Sequence, residues 1–263
     1  MQPDLSSSIE VIGEALATNT KLEVLIMREN RVKWANYCNF WSQIMPNVSL
    51  QKLNLQKTDL TDRVLEKMVK YLEQPNIVLL DLDISKNGIT DVGLKTLCAA
   101  LKLNATLKFL NLSSNKIREE GLVDLSEFLI ENKVLQELSL GANIISNEGI
   151  VILSRFLAQN STLTHLELPK NCFTDVGFDQ FAKMLAFNKG LKFLDIAKNK
   201  DLSDEASLVT LVESLEKNRA LQTLDLSSLK IRKPFLKMHF EPALKKNITL
   251  QKVLGKIPPS IIN

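Results

Sequence analysis

The chain has 263 residues, 45% hydrophobic and 24% charged, with a net charge of +3 at pH 7 and three scattered cysteines, Cys38, Cys98 and Cys172. The mild charge argues against nucleic acid as a partner, and cysteines outside any CxxC spacing argue against a disulfide or zinc framework. With no apolar run near the roughly 20 residues of a membrane helix, and no basic-then-apolar signal at the start, a soluble cytoplasmic protein is expected.

Residues 5–18 carry Ile9, Ile12 and Leu16 at helical spacing, which predicts a helix within an incomplete first repeat over 1–21. A pattern L-x-x-L-x-L-x-x-N-x-[LI] then begins with LEVLIMRENRV at Leu22 and LQKLNLQKTDL at Leu50. It returns at Leu79, Leu107, Leu135, Leu163, Leu191 and Leu221, and in decayed form as LQKVLGKI at Leu250. Successive starts are 28, 29, 28, 28, 28, 28, 30 and 29 residues apart. Eight full repeats over 22–249, closed by a terminal repeat and tail over 250–263, predict one domain spanning 1–263.

Within each repeat, the L-x-L alternation predicts a short strand, apolar inward and polar outward. An Asn follows at positions 30, 87, 115, 143, 171 and 199, where the chain turns inward. Its amide both donates and accepts, so stacked Asn side chains can satisfy buried turn groups. Thr58 and Leu229 interrupt this column and predict differently bonded turns. A second Asn column, three residues before each first Leu, runs from Asn19 through Asn47, Asn76 and Asn104 to Asn247. It is expected to end each helix in the left-handed conformation. Between the columns lies a helix, with Thr90 and Thr174 as N-caps and Asp91 and Asp175 at its positive end. Gly93, Gly121, Gly149 and Gly177 are expected to let helices pack closely.

Two repeats depart from the pattern. RVKWANYCNFWSQIM holds both tryptophans, and Trp34 stands where later repeats carry Asp91, Glu119, Asn147 and Asp175. Trp34 is a candidate interface anchor, with folding against the N-terminal helix as the alternative. IRKPFLKMHFEPALKKN carries Pro234 and Pro242, which predict a shorter or broken helix, with His239 packed in the core. The ends are expected to be capped by the terminal helix and the Pro258–Pro259 tail, or by another subunit.

A 28–29-residue unit of this pattern followed by a full helix resembles the ribonuclease-inhibitor-like leucine-rich repeats. The resemblance implies an α/β fold, a curved right-handed solenoid or horseshoe with parallel strands on the concave face and helices on the convex face. Similar arrays occur in ribonuclease inhibitor, the Ran GTPase activator, tropomodulin, innate-immune receptors and axonemal subunits. They share a scaffold, not a task.

On the concave face the outward column Ile26, Asn54, Asp83, Asn111, Ser139, Glu167, Asp195 and Asp225 turns acidic toward the C-terminus. The preceding column includes Phe109, His165 and Phe193. Strand ends and turns collect Lys86, Lys116, Lys170, Lys198, Lys200 and Lys230. An acidic floor beside a basic rim can orient a partner. The candidate partner-binding residues are therefore Trp34, Asp83, Lys86, Phe109, Lys116, His165, Glu167, Lys170, Phe193, Asp195, Lys198 and Asp225.

With two histidines in different repeats and no nucleotide, hydrolase or metalloprotease motif, no catalytic, cofactor or metal residue is assigned. The expectation is a non-enzymatic scaffold or adaptor in a multi-subunit cytoplasmic or cytoskeletal assembly, with an axonemal home suggested by the resemblance. It has protein partners and neither a small-molecule substrate nor a membrane. The alternatives are a regulator of an enzyme (a GTPase activator or a hydrolase inhibitor) and a pathogen effector.

Overall fold

The computed structural model describes residues 8–255 except 200, 201, 203, 228 and 230. The Pro258–Pro259 tail and the rim lysines Lys200 and Lys230 lie outside the described residues.

Among the described residues nine three-residue strands form one parallel sheet in chain order. They are β1 (Val24–Ile26), β2 (Lys52–Asn54), β3 (Asp81–Asp83), β4 (Phe109–Asn111), β5 (Glu137–Ser139), β6 (His165–Glu167), β7 (Phe193–Asp195), β8 (Thr223–Asp225) and β9 (Lys252–Leu254). The register aligns the middle residues from Leu25 and Leu53 through Leu166 and Leu194 to Val253. From Leu53 onward each of these is buried, while its two neighbours face outward as the strand alternation requires.

Helices α1 (Ile9–Thr18), α2 (Trp34–Gln43), α3 (Asp62–Leu72), α4 (Asp91–Leu101), α5 (Glu119–Glu131), α6 (Asn147–Leu157), α7 (Asp175–Leu185) and α8 (Glu205–Lys217) form the second layer. Strands stack about 4.8 Å apart and helices about 8–10 Å apart, so the stack curves with its sheet on the inside. Leucines from both layers and all repeats make one continuous core.

The last helix is broken. A turn of α9 (Lys233–Phe235) leads into a π-helical stretch over Leu236–Phe240 and then α10 (Glu241–Lys246). Pro242 has no N–H to continue an α-helical ladder, and the Glu241 N–H donates to the carbonyl of Leu236, five residues back. His239 is half-buried against Phe235, with ring centroids 4.9 Å apart. It therefore sits at the margin of the core, not inside it.

Both Asn columns are hydrogen-bond ladders that link one repeat to the next. In the turn column, Asn143 donates through Nδ2 to the Leu112 carbonyl of the preceding repeat and to its own Leu140, each at 3.0 Å. Its Oδ1 accepts from the Ile117 N–H at 3.1 Å. Asn115 and Asn171 make the same three bonds. In the helix-end column, Asn188 Oδ1 accepts from Gly190 and Leu191, while Nδ2 donates to the carbonyls of Leu157 and Asn160 one repeat earlier.

The left-handed expectation for the helix-end column is corrected. Asn19, Asn132, Asn218 and Asn247 are extended, with φ between −66° and −80°. They cap through side-chain bonds and need no unusual backbone. Seven left-handed residues lie instead just before the turn column, Glu29, Lys57, Lys86, Ser114, Ala142, Lys170 and Lys198, at φ 53° to 62°, and Asp59, at φ 59°, follows Thr58. Held there at a cost of order 1 kcal/mol each, these non-glycine residues turn the chain so that the next Asn points inward.

Thr58 is wholly buried where the turn Asn is missing. Its hydroxyl donates to the Leu55 carbonyl at 2.8 Å, and the Tyr37 phenol of the preceding repeat donates to Thr58 Oγ1 at 2.5 Å. Burial pushes the Tyr37 phenol far above its ordinary pKa, so it stays a neutral donor. Tyr37→Phe keeps the ring but deletes this bond, and should destabilise the fold by about 1–2 kcal/mol in urea melts followed by circular dichroism. An unchanged midpoint would mean that Thr58 is satisfied without it.

Candidate protein-binding face

The outward column of acids and amides is built by its own turns. Asp83, Asp195 and Asp225 each accept, through Oδ1, the N–H two residues on, from Ser85, Ala197 and Ser227 at 2.7–2.9 Å. Asn54 and Asn111 make the same bond to Gln56 and Ser113, both at 3.0 Å. Where this bond forms it uses a side-chain oxygen and does not require a charge.

Charge accumulates nonetheless at the C-terminal end. Register places Glu167, Asp195 and Asp225 side by side on β6, β7 and β8. Burial raises the Asp195 pKa, the Ala197 N–H pulls it back, and the neighbouring Asp225 and Glu167 raise it further. Glu167 also accepts a 2.7 Å bond from the Ser139 hydroxyl. Beside this row, Lys170 and Lys198 join Asp195 and Asp225 in lining an open cavity of about 400 Å³. The sequence-assigned Lys170, Asp195, Lys198 and Asp225 thus meet in one place, with Glu167 on the next strand.

The other outward column gathers Phe109, Glu137, His165 and Phe193 on consecutive strands. The His165 ring stacks on Phe193 with centroids 5.6 Å apart, and its Nδ1 lies 2.9 Å from Thr164 Oγ1 and 3.7 Å from a Glu137 carboxylate oxygen. Glu137 was missed in the sequence, although counting one repeat from Phe109 reaches it.

The remaining candidates stand apart. Asp83, on β3, accepts from Asn54 Nδ2 at 3.2 Å, while the exposed Lys86 and Lys116 lie in earlier turns and do not line the cavity. Trp34 is on the helix layer, 39% exposed, with the Arg63 guanidinium 3.7 Å over its ring. It is covered in part from the following repeat. The acids that replace it in later repeats cap the next helix: Asp62 accepts from Thr90, Asp91 from Arg118 and Gly121, and Asp175 from Asp204. Trp34 cannot do this, and α3 starts without a side-chain cap.

A family model described as Leucine Rich repeat matches residues 76–98, 103–126 and 159–181. These three stretches match as leucine-rich repeats. No curated protein matches the chain. Among solved structures, the array is similar to the tropomodulin C-terminal domain of Caenorhabditis elegans, at 14% identity and a TM-score of 0.50 over 59% of this chain and 92% of the other. A leiomodin-1 structure titled for its actin-binding site 2 aligns at 22% identity and a TM-score of 0.48, over 57% of this chain and 86% of that one. At such identities the likeness concerns the fold.

Among the described residues no group of His, Cys, Asp and Glu is arranged to hold a metal ion, and no helix is long and apolar enough to cross a membrane. Cys98 is buried, and burial pushes its thiol up to about 12, where it is inert.

Proposed function

We propose that this leucine-rich-repeat chain is a non-enzymatic scaffold in a cytoplasmic or cytoskeletal assembly, holding a basic protein segment on the C-terminal half of its concave face. One observation carries the reading. The turns at Asn54 and Asn111 close with neutral amides, so the negative charges of Asp195 and Asp225 exceed what the fold requires. Half-burying Asp195 and crowding it beside Asp225 and Glu167 costs stability, and its raised pKa reflects burial first and the like charges after it. Charge kept against the interest of the fold is charge available to a partner. The stacked His165 and Phe193 add a flat apolar surface beside it, and Lys170 and Lys198 fix the orientation.

Asp195→Asn with Asp225→Asn preserves both turns. The raised pKa favours the fold below the ordinary carboxylate range, and that contribution is lost as pH rises through the folded value. At neutral pH the double variant should therefore melt at or above the parent temperature. Its affinity for the partner, identified by crosslinking mass spectrometry of the native complex, should fall about tenfold with a flatter salt dependence. Parental binding by this variant, with binding abolished by changes on the convex helices, would place the partner elsewhere.

A further inference from the structure

Phe187 is 72% exposed, one residue before the helix-end Asn188. Gln159 and Lys217 hold the same place in neighbouring repeats, where Asn160 and Asn218 make their ladder bonds unhindered. The fold therefore asks for no apolar residue here. A single exposed apolar side chain is ordinary, but this one stands between two depressions. One, of about 450 Å³, lies between α6 and α7 and is walled by Val151, Met184 and Phe187 with Arg155 and Lys183. The other, of about 430 Å³, lies where α7 and α8 end and is walled by Ala186, Phe187 and Ala220 with Lys189, Lys217 and Arg219.

Five cations thus surround the ring, and no Asp or Glu lines either depression. Lys183 is held by Asp179 at 2.6 Å, and Arg219 donates to the carbonyls of Glu216 and Asn218 at 2.7 and 2.9 Å. Glu216 is taken by Lys246 at 3.0 Å. Arg155, Lys189 and Lys217 enter no ion pair among the described residues. Helix dipoles favour cations at these helix ends, but they give no reason for an exposed phenylalanine among them. One ring cannot stack successive bases of a nucleic acid, and it gives a bilayer little apolar area to bury. Two depressions with apolar walls and a cationic margin fit side chains of a polypeptide of opposite charge.

We propose that this helix-end edge docks an acidic protein segment that straddles Phe187, seating an apolar side chain in each depression and its carboxylates against Arg155, Lys189 and Lys217. The acidic row of the concave face lies on the sheet and this patch on the helix layer, so the chain presents two interfaces of opposite sign. The test is selection of a random peptide library displayed on phage against the full chain, with counter-selection on Phe187→Gln. Gln159 already occupies the equivalent place, so this variant should fold and melt as the parent does. Peptides kept by the parent and lost by the variant should be rich in Asp and Glu, interspersed with Leu, Ile, Phe or Trp. Such a peptide, labelled and followed by fluorescence anisotropy, should bind Phe187→Gln at least about tenfold more weakly. Lys189→Ser with Lys217→Glu should also weaken it about tenfold and flatten its salt dependence. These changes follow Ser161 and Glu131, which stand at the same places in earlier repeats. Lys67→Glu with Lys102→Ser makes the same change in net charge at exposed sites elsewhere and should bind as the parent does. A selection that yields no acidic, apolar peptides overturns the proposal, and so does equal loss from both lysine pairs. Vesicles of phosphatidylserine or a single-stranded oligonucleotide bound through Phe187 in place of peptide would overturn it as well, assigning the edge to a membrane or a nucleic acid. Basic peptides kept by parent and variant alike bear on the concave face alone.

Discussion

Asn143→Ala should lower the unfolding free energy by about 3 kcal/mol, the largest effect of any single polar substitution in the array. The side chain is buried and holds three backbone groups: the carbonyls of Leu112 and Leu140 and the N–H of Ile117. Alanine leaves all three without a partner in a site closed to water, and each orphaned group costs on the order of 1–3 kcal/mol before relaxation. Asn143→Asp separates the two halves of the role. The carboxylate still accepts from Ile117 but cannot donate, and it places a charge against two carbonyls, so it should be at least as damaging as alanine at pH 7. Denaturant melts followed by circular dichroism check both. A loss of only a few tenths for alanine would show that water enters the turn.

Gly177→Ala should destabilise by about 2 kcal/mol, against the usual gain of about 1 kcal/mol for alanine over glycine inside a helix. A Cβ on Gly177 would stand 2.8 Å from Asn147 Cα, and the Gly177 N–H donates to Asn147 Oδ1 at 3.2 Å. Backbone cannot yield as a flexible side-chain tip does, so α6 and α7 would have to separate. Val176→Ala, next door on the exposed side, should be nearly neutral and serves as the control. A stabilised Gly177→Ala would mean that the helices are free to move apart.

The fold was legible because it is written nine times. A leucine that recurs at constant spacing fixes strand, register and layer together, and Asn143 could be assigned a buried turn from its column alone. What the sequence hid were relations between neighbouring repeats. Nothing local marks Lys86 or Lys170 as left-handed, since the residue types there range from Glu to Ala. That conformation is imposed by the ladder bond that follows. Asp91 and Asp175 read as acids at the start of their own helices, yet their oxygens cap the next one. The concave columns were readable by counting, which found Asp195 and Asp225. Counting could not tell that Asn54 and Asp195 perform the same turn, and that equivalence isolates the charge as surplus.

One joint in the array lacks all three connecting devices. Between the repeats of α2 and α3, Thr58 stands in for the turn Asn, Trp34 for the capping acid, and the side chain of Asn76 makes none of the helix-end bonds, the turn after α3 being one residue longer than that after α4. Beyond the single Tyr37–Thr58 side-chain bond, rings take their place: Trp41 lies 6.0 Å from Tyr71, with Trp41 Nε1 and the Tyr71 hydroxyl both buried and unbonded, and Arg63 covers Trp34. Ring contacts tolerate small rotations that directional bonds resist. This joint can therefore change its angle more cheaply than its neighbours, and both tryptophans of the chain sit on it. Intrinsic fluorescence would consequently report the loosening of one joint, ahead of and apart from the melting of the array.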